Sequence, residues 1–347
     1  MIRVALLLLV LVQDGAPVAQ EKERIRAKAP LPEAQKAEYA SPEGPQVKPR
    51  ASYTLTVIPI EFSDRRLGSK DLSKLVFGGV REYYEKASGG RFALDGTMAD
   101  RATLEIERSA FERRHLEKAL AKVPSGDGVA FVTAGGLPGR GSALWPHRGV
   151  VRCGDRSVDY ILVPEEAPVA IIAHEFMHLL GFADKYDDEK ASVADACILG
   201  TGYSVRNPPP PCAECRAKLG WASPGTVDPS RLAAVVLAAD PARAVRIPVT
   251  ADGEETLLLE MRDRLFVWHI GGGKTIELVG RYPTEASDRL TPLSEPSFRG
   301  RSRGSRPVWI TDIRIEDGKA WFRVGPDAPL TALEEWRRAH VGKRLGD

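Results

Sequence analysis

Two histidines and a glutamate are spaced so that they could hold a metal ion and activate water. His174, Glu175 and His178 form an HExxH pattern inside Pro168–Gly181, an apolar segment that predicts a buried helix. Residues four apart lie on one face of a helix, so both imidazoles could reach the same ion. Zinc accepts neutral imidazole and keeps a position for water, whose proton Glu175 could take. This is the chemistry of hydrolysis without a covalent intermediate.

The residues after the helix predict a third ligand. Gly181 allows a sharp turn, and Asp184 follows three residues later, so its carboxylate could return to the metal. Nearby carboxylates could replace it or bind calcium, unless they form a solvated loop: Asp187, Asp188 and Glu189. The competing interpretation of the motif is a core helix with two hydrogen-bonded histidines. Chance supplies only about 0.01 HExxH matches in such a chain.

A third histidine is a secondary candidate. His147 lies in the sequence Trp145-Pro146-His147-Arg148, where it could contact the substrate or the transition state. The alternative is a loop histidine that only packs against its neighbours. The sequence alone favours the packing role.

The elements around the motif predict an α/β (α+β) domain followed by a smaller all-β domain. Alternating or apolar runs predict strands at Tyr53–Phe62, Arg91–Met98, Thr103–Ile106 and Tyr160–Val163. Helical spacing predicts helices at Ser69–Ala87, Arg108–Val123 and Pro168–Gly181. Beyond Pro224, short strands separated by Gly, Asp and Pro predict a β-sandwich or barrel-like module. We therefore expect a catalytic domain over 51–222 and a β-rich domain over 223–347 that ends in an exposed helix.

The N-terminus predicts export. Residues 1–19 combine Arg3, an apolar run over Val4–Val12 and small residues, as a signal peptide does. The alternative is a buried element of the mature fold. Residues 20–50 are Pro-rich and poor in large apolar side chains, which predicts a linker or short propeptide. We expect a secreted or extracytoplasmic protein.

The four cysteines are Cys153, Cys197, Cys212 and Cys215. In an oxidising compartment an even number favours two disulfides, and we expect disulfides here without assigning the pairing. The alternative is a structural zinc site, because Cys212 and Cys215 have the CxxC spacing of a metal knuckle.

Composition excludes two classes of protein. The 49 Lys and Arg residues nearly balance 47 Asp and Glu residues, so no excess of positive charge indicates nucleic-acid binding. The longest apolar run, Val4–Val12, is about half the ~20 residues that a membrane helix needs, so we expect no stable membrane insertion. The expected partners are protein or peptide substrates.

The segment HEFMHLLGFADKYD resembles the signature of the M6 family of secreted metallopeptidases, the immune inhibitor A type. The similarity extends over most of residues 53–325. It includes Tyr53–Asp64, Tyr83–Thr97, Trp145–Arg148, Cys197–Gly200, Lys218–Trp221, Leu257–Arg262, Phe266–Ile270 and Leu290–Pro296.

The resemblance implies a metzincin-like fold with zinc on His174, His178 and Asp184, and with Glu175 as general base. Leu199 stands where the family usually has a methionine beneath the zinc, so the floor stays apolar without its usual side chain. The chain after Leu257–Arg262 is also short for the family. Neither departure removes a ligand or the base.

The sequence thus predicts a secreted zinc metalloendopeptidase. One alternative is a non-catalytic zinc-containing binding protein, although Glu175 and His178 are both intact. Another is a zinc hydrolase of a non-protein amide, which would use the same chemistry. An intracellular assembly or redox protein built on the CxxC pair would require that residues 1–12 are not a signal.

Overall fold

A computed structural model describes residues 47–120, 126–139, 141–153, 155–185, 191–201, 207–272, 274–284, 288, 290 and 300–326. The predicted signal peptide, most of the 20–50 segment, the terminal helix and Asp187 lie outside these residues. None of the helices in the described part of the chain is long and apolar enough to cross a membrane.

The first sheet contains six strands in the order β2-β1-β4-β6-β5, with β3 pairing along β1. Their bounds are β1 Ser52–Phe62, β2 Ala93–Met98, β3 Ala102–Leu104, β4 Gly128–Thr133, β5 His147–Cys153 and β6 Arg156–Pro164. All pairs are parallel except β5 with β6. The sheet therefore ends in one antiparallel edge strand.

Alternation of apolar residues along these strands produces two cores, one on each face of the sheet. In β1, Tyr53 and Leu55 point into the first core, whereas Ile58 and Ile60 point into the second. Successive side chains of a strand project to opposite faces, so a strand that is apolar throughout must be covered on both. This explains why the sheet is buried.

The described residues form four α-helices beside the sheets. They are α1 Arg81–Ser88, which a π-helical turn over Lys74–Val80 precedes, α2 Leu116–Leu120, α3 Val169–Leu179 and α4 Ala213–Lys218. The prediction of one helix over Arg108–Val123 is wrong. Phe111 and Glu112 have extended backbones, and Phe111 is buried against Phe62 in the second core. Tertiary packing of Phe111 thus overrides the helical spacing and leaves two 3₁₀ turns before α2.

The rest of the described chain is β-rich. A second sheet has the order β7-β13-β12-β11-β10-β8, and a third has the order β14-β15-β9. Their bounds are β7 Ala191–Ser192, β8 Ser223–Thr226, β9 Ala233–Ala238, β10 Arg243–Pro248, β11 Thr256–Met261, β12 Leu265–Gly271, β13 Lys274–Tyr282, β14 Trp309–Glu316 and β15 Lys319–Gly325. The chain therefore combines a mixed α/β part with a β-rich part, as predicted at that level.

The first core includes residues from both sides of position 223. Phe176 of α3 and Tyr84 of α1 belong to it, and so do Leu258, Phe266 and Trp268 of the second sheet. The predicted domain boundary stays a prediction, and the side chains on its two sides share one core.

The buried carboxylate of Glu255 anchors the chain that returns to the second sheet. It accepts hydrogen bonds from the backbone N–H groups of Arg301 and Ser302, from the Ser305 hydroxyl and from His269. Burial by itself raises the pKa of Glu255, but the hydrogen bonds from Arg301, Ser302 and Ser305 outweigh it and lower the pKa to about 2. The ionised form is therefore the one that the fold stabilises.

We expect this carboxylate to stabilise the fold above its unfolded-state pKa of 4.5 and to lose that effect as the pH falls toward 2. The loss is on the order of 3 kcal/mol in the free energy of unfolding. Urea denaturation of the wild type and of Glu255→Gln across this pH range measures it, with the exposed Glu254→Gln as control. Equal pH dependence in wild type and Glu255→Gln would contradict the assignment.

Candidate metal centre

Helix α3 carries the HExxH residues through the first core. It begins after Pro168, has no charged residue in its first turn, and buries Phe176 and Met177. The Tyr84 hydroxyl donates a hydrogen bond to the carbonyl of Ala173 at 2.5 Å, which ties the helix to α1. Gly181 has φ +97°, a left-handed conformation that favours glycine, and it turns the chain away as the sequence predicts.

Three predicted ligands converge. The Nε2 atoms of His174 and His178 lie 3.3 Å apart. The Oδ1 atom of Asp184 lies 3.0 Å from Nε2 of His174 and 3.5 Å from Nε2 of His178. The helix supplies the two imidazoles, and the turn at Gly181 brings the carboxylate back to them. The three residues form a group that could hold a metal ion.

Two backbone carbonyls orient the imidazoles. Nδ1 of His174 lies 2.8 Å from the carbonyl oxygen of Ile198, and Nδ1 of His178 lies 2.7 Å from that of Phe182. A carbonyl oxygen only accepts, so each Nδ1 carries a proton, and Nε2 is the nitrogen of each ring that is left to bind a metal ion. The sequence reasoning missed both carbonyls, because every residue has one and no side chain marks it.

The spacing fits a tetrahedral ion. Zinc bonds to imidazole nitrogen and carboxylate oxygen are ~2.0–2.2 Å long, so tetrahedral ligands lie about 3.3–3.5 Å from one another. The measured separations of 3.0–3.5 Å among His174, His178 and Asp184 match this value. Little rearrangement is needed for these atoms to bind one ion.

The electrostatics of the cluster favour a cation at its centre. Burial lowers the pKa of His178, but its hydrogen bond to Asp184 and the charge of Glu175 outweigh burial and raise that pKa to about 9. Burial raises the pKa of Asp184, and hydrogen bonds from both histidines nonetheless hold it well below its usual range. A metal ion can replace the proton that His178 holds, because metals compete with protons for the same lone pair.

Glu175 differs from the other buried glutamates. Glu165, Glu255 and Glu260 each accept hydrogen bonds from at least two donors. Within the described chain, no hydrogen bond to the Glu175 carboxylate is found, and its Oε2 lies 4.0 Å from Nε2 of His178. Burial raises its pKa. A carboxylate beside the ligands with oxygens free to accept a proton is what a general base requires.

The loop Cys197–Gly200 contacts the site through its backbone carbonyls. Leu199 is fully buried in the first core, and its carbonyl accepts a hydrogen bond from the N–H of Lys185 at 2.8 Å. A Cβ atom at Gly200 would lie 2.0 Å from the carbonyl oxygen of Ala194. The close approach of two backbones therefore requires glycine at this position.

We expect Gly200→Ala to destabilise the protein and to weaken metal binding, because the loop must move to relieve the clash. Forcing an extra methyl into packed structure costs about 1–3 kcal/mol. Thermal denaturation and zinc titration measure the two effects. Gly225→Ala is the matched control, since no atom lies within 4 Å of its added Cβ. A stable Gly200→Ala variant with unchanged zinc affinity would contradict this role for the loop.

The structure does not bring His147 to the cluster. Its ring lies 2.6 Å from the carbonyl oxygen of Trp145 and 3.1 Å from the Tyr160 hydroxyl. Tyr160 belongs to the second core, on the face of the sheet opposite to α3. Burial lowers the pKa of His147. This is the packing role that the sequence favours. Asp187 lies outside the described residues.

The expectation of disulfides is not met at the three cysteines whose side chains are described. Cys197, Cys212 and Cys215 are free and buried. The Sγ atoms of Cys212 and Cys215 lie 3.4 Å apart, well beyond the ~2.05 Å of a disulfide. The fold brings the sulfur atoms of all three cysteines together in one buried cluster, and three thiols cannot all form disulfides with one another.

Comparison with known proteins does not assign this chain to a family. No protein-family model matches this chain, and no curated protein matches it.

Proposed function

We propose that this chain is a secreted zinc-dependent endopeptidase with a metzincin-like catalytic part, as its resemblance to the M6 family implies. One observation carries the proposal. His174, His178 and Asp184 present three ligand atoms at tetrahedral spacing, beside a buried Glu175 whose carboxylate has no hydrogen-bond donor among the described residues. The binding-protein alternative gives no reason to place a buried carboxylate without a hydrogen-bond donor among the described residues beside the ligands, because burying a charge without hydrogen bonds costs stability.

Metal binding and proton transfer belong to different residues of the site. His174, His178 and Asp184 would hold the zinc ion. Bound zinc would lower the pKa of a water molecule and polarise the scissile carbonyl. Glu175 accepts the proton of the attacking water and delivers it to the leaving amine. Its raised pKa makes it a stronger base than an exposed glutamate.

The fold supports this reading in two ways. Helix α3 lies against a mixed sheet whose edge strand β5 runs antiparallel to β6. Ile198 and Phe182 fix the imidazole rings, as a metal site of this kind needs. The predicted export signal lies outside the described residues, so secretion stays a prediction.

The proposal is tested on the full chain with casein and a library of quenched fluorescent peptides. We expect cleavage by the zinc-loaded protein, loss of cleavage with a zinc chelator, and recovery when zinc is returned. Mass spectrometry of the products identifies the bonds that are cut. A zinc-loaded protein that cleaves none of these substrates would overturn the endopeptidase assignment.

A further inference from the structure

Three cysteines from separate parts of the sequence converge beside the metal centre. Cys197 lies in the loop after the 3₁₀ turn Ala194–Ala196, whereas Cys212 directly precedes α4 and Cys215 lies in its first turn. All three are at most 1 % exposed. Their sulfur atoms lie within 4.8 Å of one another, and the N–H of Cys212 donates a hydrogen bond to the sulfur of Cys197 at 3.3 Å.

The sulfur positions suit a tetrahedral metal ion. Zinc–sulfur bonds of ~2.3 Å separate two tetrahedral thiolates by about 3.8 Å. The separation of 3.4 Å between the sulfurs of Cys212 and Cys215 is close to that value. CxxC spacing also supplies two of the four ligands in many structural zinc sites, and Cys197 adds a third here. The described residues supply three thiolates, which leaves one coordination position for a fourth ligand.

Positively charged side chains with little solvent exposure lie near the sulfurs. Arg216 and Arg262 both pair with one carboxylate, that of Glu260. Lys185 is 7 % exposed and forms no ion pair within the described part of the chain. Lys185 and Arg262 are near enough to act electrostatically on the thiols. Three thiolates around a divalent ion carry one net negative charge, which these cations would offset.

The cysteine cluster is connected to the ligand His174. Cys197 directly precedes Ile198, whose carbonyl accepts the Nδ1 proton of His174 at 2.8 Å. The next carbonyl, that of Leu199, accepts the N–H of Lys185, which follows Asp184 in the chain. Fixing Cys197 therefore fixes two hydrogen bonds that position the histidine and the aspartate.

We propose that Cys197, Cys212 and Cys215 bind a second, structural zinc ion that holds the Cys197–Leu199 loop behind His174. The assignment does not require peptidase activity, because it concerns other residues. Metal binding would also keep these thiols from forming a disulfide in an oxidising compartment.

The test uses the full chain purified with a reductant and with zinc in the medium. We expect two zinc ions per wild-type chain by elemental analysis, and one in a His174→Ala/His178→Ala double variant. Cobalt loading of that double variant should give the intense near-ultraviolet band of thiolate-to-cobalt charge transfer. This measurement needs no cysteine substitution, so misfolding of a cysteine variant cannot obscure it.

Cysteine variants identify the ligands. Cys215→Ser in the double-variant background should abolish the cobalt band, whereas Cys153→Ser, on β5, should retain it. In the background with intact histidines, Cys215→Ser should weaken zinc binding at His174 by about 10–100-fold, as loss of an orienting partner does. A double variant that binds no metal, or a disulfide among these three cysteines in the purified protein, would overturn the proposal. Neither result bears on the peptidase assignment, which the wild-type cleavage assay tests separately.

Discussion

Glu175→Gln should abolish most peptide hydrolysis while the protein keeps its zinc. The glutamine side chain has the size of glutamate but cannot accept the proton of water, so kcat should fall about 10²- to 10⁴-fold. The ligand atoms of His174, His178 and Asp184 stay at the same separations, because Glu175 makes no hydrogen bond that positions them among the described residues. Single-turnover cleavage of a fluorescent peptide and zinc analysis of the same sample measure both effects.

The matched control is Glu166→Gln. Glu166 is exposed and lies just before α3, so its substitution makes the same chemical change outside the site. We expect activity close to that of the wild type. Activity in Glu175→Gln within a few-fold of the wild type would mean that another group activates the water, and it would remove Glu175 from the mechanism.

His178→Ala should remove the metal itself. Its Nε2 lies 3.3 Å from that of His174 and 3.5 Å from the Asp184 carboxylate, so its loss leaves two ligands of three. Loss of a mere orienting partner weakens metal binding about 10–100-fold, and loss of a ligand should cost more. We therefore expect zinc content to fall by one ion per chain and peptidase activity to disappear. Elemental analysis after gel filtration measures the content.

His147→Ala is the corresponding control, because it removes an imidazole from the opposite face of the first sheet. It should retain the zinc content of the wild type. A His178→Ala variant with full zinc content would show that the ion binds elsewhere. Loss of zinc from His147→Ala in a folded protein would return that residue to the site.

The sequence predicted the side chains of the site, but not the backbone groups that orient them. HExxH spacing depends only on helix geometry, so the pairing of His174 with His178 follows from four residues of separation. Asp184 was predicted because Gly181 permits a turn. The carbonyls of Ile198 and Phe182 could not be predicted, since their positions depend on how distant backbones pack.

Tertiary contacts also explain the two expectations that failed. Residues 108–115 have helical spacing, but burial of Phe111 in the second core requires an extended backbone there. The cysteines have an even count, which favours disulfides, but the fold gathers Cys197 with Cys212 and Cys215 in one place. The number of cysteines and the spacing of apolar residues can be read from the sequence alone. The conformation of 108–115 and the position of the three cysteines instead depend on contacts between residues far apart in the chain.

Strand β7 links the segment after Asp184 to the β-rich part of the chain, which limits how the two parts can be exchanged. Ala191–Ser192 lies between Asp184 and the Cys197 loop, yet it pairs in parallel with β13 at the edge of the second sheet. Arg262 of the same region donates a hydrogen bond to the carbonyl of Ala196. The segment that follows the third ligand is thus held in place by residues more than sixty positions later in the chain. Exchanging the chain after residue 222 for that of another protein would remove these contacts to residues 191–196. We therefore expect residues before and after position 222 to change together in evolution.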